Sequence, residues 1–217
     1  MYISKIKSGI PKNSIFMPID TSTLEFCNHS YMCIKQEGSS EYRIPENLQL
    51  IVDTMLSGIY QVSPYLYDND YKYNCYLTIR HEYVNPGSFG NRPGWHIDGF
   101  KSDQHNFIWM DILPTDVCDG EFRLSNDHYI SLNEMMDQSC ENDKFVRVLD
   151  VNTLYEMDQS CVHQPAVNNI RQPRLRTFIK FTFSREQFNA FGNAWNYKIP
   201  HIRPTQHRHD SRNHGVI

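Results

Sequence analysis

Apolar residues recur at the helical period most clearly in one stretch. Leu48, Ile51, Val52, Met55, Leu56 and Ile59 fall three or four apart and share a face, behind a Pro45-Glu46-Asn47 start that suits a first helical turn. The stripe predicts a helix packed on the outside of a sheet. Elsewhere the period is two. Residues 75–84 alternate, with Leu77, Ile79, His81 and Tyr83 on one face and Tyr76, Thr78, Arg80 and Glu82 on the other. Residues 106–112 read as a buried strand. Residues 121–124, 145–149, 153–157 and 176–183 read as further strands, with breaks at Pro114, Asp119-Gly120 and Asp150-Val151-Asn152.

Other signals are local. Residues 1–20 alternate weakly and predict a short strand or arm. Ser22-Thr23-Leu24-Glu25 has the form of a capping box and predicts a helix through about Lys35. Ser131-Leu132-Asn133-Glu134 caps a short helix, and Ser184-Arg185-Glu186-Gln187 a closing helix carrying Phe188, Phe191 and Trp195. Tyr60, Tyr65, Tyr67, Tyr71, Tyr73 and Tyr76 crowd a segment read as a loop with its phenols in water. Many short strands, few helices and Pro/Gly-rich turns together predict a mainly β sandwich or barrel with helices outside.

Composition narrows the classes. The 217 residues suit one domain with a sizeable core, and 40% apolar content with 13% aromatic argues against disorder. A net charge of −4 gives no global attraction to nucleic acid or an anionic membrane. The tail from Lys198 is locally basic, through Arg203, Arg208 and Arg212, so nucleic acid is not excluded as a partner. Six cysteines without Cys-x-x-Cys spacing read as reduced thiols in a cytoplasmic protein. No signal-peptide run or membrane-spanning length of apolar sequence is expected.

Candidate chemistry centres on Pro93-Gly94-Trp95-His96-Ile97-Asp98-Gly99-Phe100. In extended backbone His96 and Asp98 point the same way. His163 follows 65 residues after Asp98, at the end of a later strand pattern, and the strand after it carries Arg174, Arg176 and Lys180. Two histidines and one carboxylate with open positions form the facial triad of non-haem iron enzymes. In this order of elements the chain resembles the 2-oxoglutarate- and Fe(II)-dependent oxygenase superfamily over about residues 74–184.

The resemblance implies a double-stranded β-helix, or jelly roll, at 74–184, flanked by N- and C-terminal helices, in a single domain over 1–217. It implies Fe(II) on His96, Asp98 and His163, O2, and 2-oxoglutarate chelated through its 2-oxo group and C1 carboxylate. The products would be an oxidised substrate, succinate and CO2. The distal carboxylate would meet a basic side chain about 10 to 15 residues past the second histidine. Arg174 and Arg176 lie 11 and 13 residues past it. Arg176 begins the stronger strand and has a fork suited to a carboxylate. Lys180 shares its face; some family members place a second basic group there, and a lysine departs from the arginine pattern. Asp98 argues against the related halogenases, which lack the carboxylate. Three other readings stay open: an oxidase of this fold without 2-oxoglutarate, a cupin-like metal enzyme, and a non-catalytic binding module. The substrate could be a small molecule, a protein side chain or a nucleobase, with Trp95, Phe100, Trp109 and Tyr65 as aromatic supply around the site.

Overall fold

Strands and helices are named from a computed structural model that describes residues 3–100, 102–141, 145–200, 204–205 and 207. Six strands make the larger sheet: β2 (Ser14–Phe16), β3 (Cys27–Lys35), β4 (Asn74–Val84), β5 (His105–Met110), β9 (Thr153–Met157) and β11 (Arg174–Ser184). Their order is β2-β9-β5-β11-β4-β3, antiparallel at every pairing. A smaller sheet has the order β10-β6-β8, from β6 (Asp116–Cys118), β8 (Val146–Val148) and β10 (His163–Gln164). β1 (Ile3–Ser8) pairs with β7 (Gly120–Ser125). The helices are α1 (Gln49–Val62), α2 (Pro64–Asn69) and α3 (His128–Glu141).

The predicted helical stripe does what its period implies. Leu48, Ile51, Val52, Met55, Leu56 and Ile59 are buried against Leu77, Ile79, Phe107, Trp109, Leu154, Ile179, Phe181 and Phe183. Each fully buried side chain of this size stabilises by roughly 1.5–3 kcal/mol. α1 therefore fixes which face of the larger sheet points away from it. That inner face carries Ile108, Met110, Tyr155, Met157 and Phe178, packed with Val117, Leu149 and Cys161 from the side of the smaller sheet. Beyond lies a third cluster, in which Trp95, Ile97, Cys118, Phe122, Leu124 and Val162 pack with Met135 of α3. The chain is thus mainly β, with α1 and α2 packed at one end of the stack and α3 at the other.

Two predicted helices are absent. Residues 27–35 form strand β3 instead, with Met32 and Ile34 in the core and the main chain paired to β4. The Asp20 carboxylate accepts from Ser22 N–H, so the polar cluster makes a turn rather than a helix cap. After β11, Ser184 Oγ accepts from Glu186 N–H and the chain continues as turns, tied down by Phe188 N–H to Tyr76 OH and by Asn196 to the carbonyls of Cys33 and Arg43. The tyrosine-rich segment is partly helical, as α2. Tyr42 and Tyr60 both donate to Asp70 Oδ2, at 2.8 and 2.7 Å. The basic tail lies mostly outside the described residues. Cys27, Cys33, Cys75 and Cys161 are free thiols. Among the described residues no helix is long and apolar enough to cross a membrane.

Candidate metal centre

His96 and His163 come together through their own backbones. Each accepts the other's N–H at 2.9 Å, an antiparallel bridge that extends the β10 edge of the smaller sheet. The loop before His96 runs beside the segment after His163. Gly87 N–H reaches Asn168 O, Asn168 N–H reaches Ser88 O, and Gly90 N–H reaches Ala166 O, at 2.9, 2.9 and 3.3 Å. The glycine-rich loop is therefore a paired strap that sets the register of the two histidines. Gly94, at φ 95°, turns its carbonyl to His96 Nδ1 at 2.8 Å; such a φ favours glycine.

The ring orientation follows from these bonds. His96 Nδ1 faces Gly94 O at 2.8 Å and His163 Nδ1 faces Cys161 O at 3.0 Å. A carbonyl only accepts, so both Nδ1 atoms carry the proton and both Nε2 atoms keep a lone pair. The rings lie 4.4 Å apart between centroids. One ligand atom from each of His96, Asp98 and His163 falls within 4.8 Å of the others. His163 Nε2 is 3.7 Å from Asp98 Oδ2. Tautomers fixed by main-chain carbonyls are the outer support that metal-ligating histidines use, so these residues fit a divalent ion.

Charge at the site is set by burial and one lysine. Burial, with His163 alongside, lowers His96 to about 3, and burial lowers His163 as well, so both are neutral at pH 7. Burial opposes the charge on Asp98, yet Lys180 and the histidine side of the site outweigh it and hold the carboxyl below its usual range. With both imidazoles neutral, Lys180 is the effective cation. Its Nζ is 3.0 Å from Asp98 Oδ2 and 3.1 Å from Tyr31 OH. Burial disfavours the ammonium, but Asp98 and then Tyr31 more than offset this and raise Lys180 above the ordinary lysine value.

Arg176 lies on the same strand face, opposite Glu82, and is 2% exposed. Its Nε donates to Ile112 O at 3.1 Å and Nη1 to Gly90 O at 3.2 Å; its carbon Cζ sits 5.1 Å from the centre of the Phe178 ring. Nη2 is buried with no hydrogen-bond partner among the described residues. The fork expected from the sequence is thus half used in holding the strap, and Nη2 with the second N–H of Nη1 remains. Burial lowers Arg176 to about 10, which leaves it charged at pH 7. Arg174 is half-buried at the start of β11.

The aromatic residues expected around the site divide differently. Trp109 is on the α1 face and donates to Met17 O at 2.8 Å, and Tyr65 is exposed on α2 near His105. Trp95 packs in the third cluster. His81 also faces the α1 side, with Nδ1 2.9 Å from Thr177 Oγ1. The sequence reading missed Tyr31, which sits at a bulge in β3 and carried no motif.

No protein-family model matches the chain, and no curated protein matches it. Among solved structures it is similar to EvdO2 from Micromonospora carbonacea var. aurantiaca, solved with 2-oxoglutarate, at 11% identity and a TM-score of 0.37. That match covers 65% of this chain and 66% of EvdO2, just under two thirds of its length. The second is a non-heme monooxygenase, ThoJ, solved as its nickel complex, at 12% identity and a TM-score of 0.35, over 79% of this chain and 71% of that one.

Proposed function

We propose that the chain is an Fe(II)- and 2-oxoglutarate-dependent oxygenase on a double-stranded β-helix. The observation that carries this is the convergence of two Nε2 lone pairs and the Asp98 carboxylate, with both Nδ1 atoms committed to carbonyl oxygens. His96 and His163 present neutral imidazoles, and Asp98 supplies the single anion. Three protein ligands leave room for a chelating co-substrate and O2. Iron(II) with 2-oxoglutarate would supply decarboxylation to succinate and CO2 coupled to oxidation of a substrate C–H bond.

The chain's own residues then have separate tasks. Arg176, pinned by Ile112 O and Gly90 O, offers its unpartnered Nη2 to the distal carboxylate of the co-substrate. Arg174 is the neighbouring alternative. Lys180 is engaged with Asp98 and Tyr31 rather than held ready for a distal carboxylate. Phe178, Ile108 and Met110 keep the inner face apolar and exclude water. The substrate is a small molecule, a protein side chain or a nucleobase, and the enzyme is cytoplasmic.

The test is succinate release with iron, ascorbate and 2-oxoglutarate across panels of these three substrate classes. Iron-dependent succinate release in wild type, lost in Asp98→Ala, supports the reading. Succinate release from the Asp98→Ala protein at the wild-type rate and iron content would rule it out.

A further inference from the structure

Asp98 already has a charged partner within the protein. Lys180 Nζ stands 3.0 Å from Asp98 Oδ2, and the lysine side chain is 7% exposed. Tyr31 places its OH 3.1 Å from the same Nζ and its ring centroid 5.0 Å away. A bulge in β3 brings Tyr31 there. Pairing with β4 shifts between His29 and Met32, Tyr31 takes φ 51°, and its N–H donates to Thr78 Oγ1 at 3.0 Å. A non-glycine residue in this left-handed region stores local strain that the surroundings must hold. Here the strained residue is the one that fixes Lys180.

We propose that Lys180, held by Tyr31, is a positioning residue for the metal centre: it binds Oδ2 of Asp98, the oxygen that also faces His163 Nε2, and its charge favours a dianionic ligand on a metal held there. The inference rests on the metal-centre reading above. Two neutral imidazoles, a carboxylate and an ammonium sum to zero charge. A divalent ion makes the site +2, where the three ligands alone would make it +1. The extra charge weakens binding of the cation itself and strengthens binding of a dianionic chelator.

The test uses the full chain loaded with Co(II), with oxalate as the dianionic probe. Affinity for Co(II) is read by chelator competition, coordination by visible absorption, and oxalate binding by titration. Lys180→Gln keeps a donor toward Asp98 but removes the charge. It should bind Co(II) about tenfold or more tightly than wild type and oxalate about tenfold or more weakly, with a changed absorption spectrum. Lys180→Arg should stay within about threefold on both. A lysine that only supported the fold would give the opposite sign, with a looser Asp98 and weaker Co(II) binding. Co(II) affinity unchanged or weaker in folded Lys180→Gln overturns the proposal. Should that variant not fold, Tyr31→Phe carries the test, with smaller shifts of the same sign expected and no shift, or the reverse, overturning it. Wild type that binds no Co(II), or binds it equally well after His163→Ala, sinks the metal-centre reading itself. Wild type that needs His163 while Lys180→Gln fails to tighten sinks only this inference.

Discussion

His96 and His163 are hydrogen-bonded to each other in both directions through their main chains, at 2.9 Å each way, and their rings sit 4.4 Å apart. The main chains that carry the two imidazoles are thus held by sheet pairing that does not depend on the rings. Removing one ring should leave the bridge intact. His163→Ala should therefore fold with an unchanged circular dichroism spectrum yet lose divalent-metal affinity by about 100-fold or more, beyond the effect of losing an outer-shell partner. Titration calorimetry with Co(II) checks this. Equal affinity in the variant would remove His163 from the ligand set.

Metal binding should release almost no protons at pH 7, because burial already keeps His96, at about 3, and His163 neutral. Calorimetry in buffers of different ionisation enthalpy measures the release. One proton or more per metal would contradict the assigned state. The same shifts predict stability of the metal-free protein. A depressed histidine contributes stability that is complete above its unfolded value near 6.5 and is lost as pH falls toward the folded value. Asp98, also depressed, adds a loss in the same direction below its unfolded value of 3.8. Urea midpoints should fall steadily from pH 7 to pH 4; a flat profile would show the histidines are not buried neutral.

Gly90 and Arg176 should behave as one unit. A Cβ at Gly90 would meet Arg176 Nη1 at 2.6 Å and Cζ at 2.8 Å, so the guanidinium would have to move. Breaking a buried charge-assisted contact typically costs about 2–5 kcal/mol. Arg176→Ala should raise the apparent KM for 2-oxoglutarate by roughly 30-fold or more. Gly90→Ala should raise it in the same sense, and Arg176→Lys should recover part of the loss. Metal affinity should stay within a few-fold of wild type in all three. A large effect in Arg174→Ala alone would shift the role by one pleat.

The sequence was informative where physical period and position coincide. The stripe from Leu48 to Ile59 and the alternation in β4 foretold the core, because packing and local pattern demand the same faces there. Arg176 and Lys180 do share one strand face, as their parity required. The capping-box pattern at Ser22 failed because β4 offers residues 27–35 a full row of main-chain partners that a local cap cannot match. At Ser184 the hydroxyl closes a short turn, and long-range ties from Tyr76 and Asn196 decide the path. The Lys180–Asp98 pair joins positions 82 residues apart and has no local signature. Tyr31 acts through a bulge, which spacing does not reveal.

The most direct test of the account is calorimetric titration of 2-oxoglutarate into the wild-type protein loaded with Fe(II), with O2 excluded. This isolates co-substrate binding from the unidentified substrate. The account predicts one 2-oxoglutarate per chain, binding that needs the metal, and its loss in His163→Ala. No binding to the iron-loaded protein, or equal binding without metal, would contradict it.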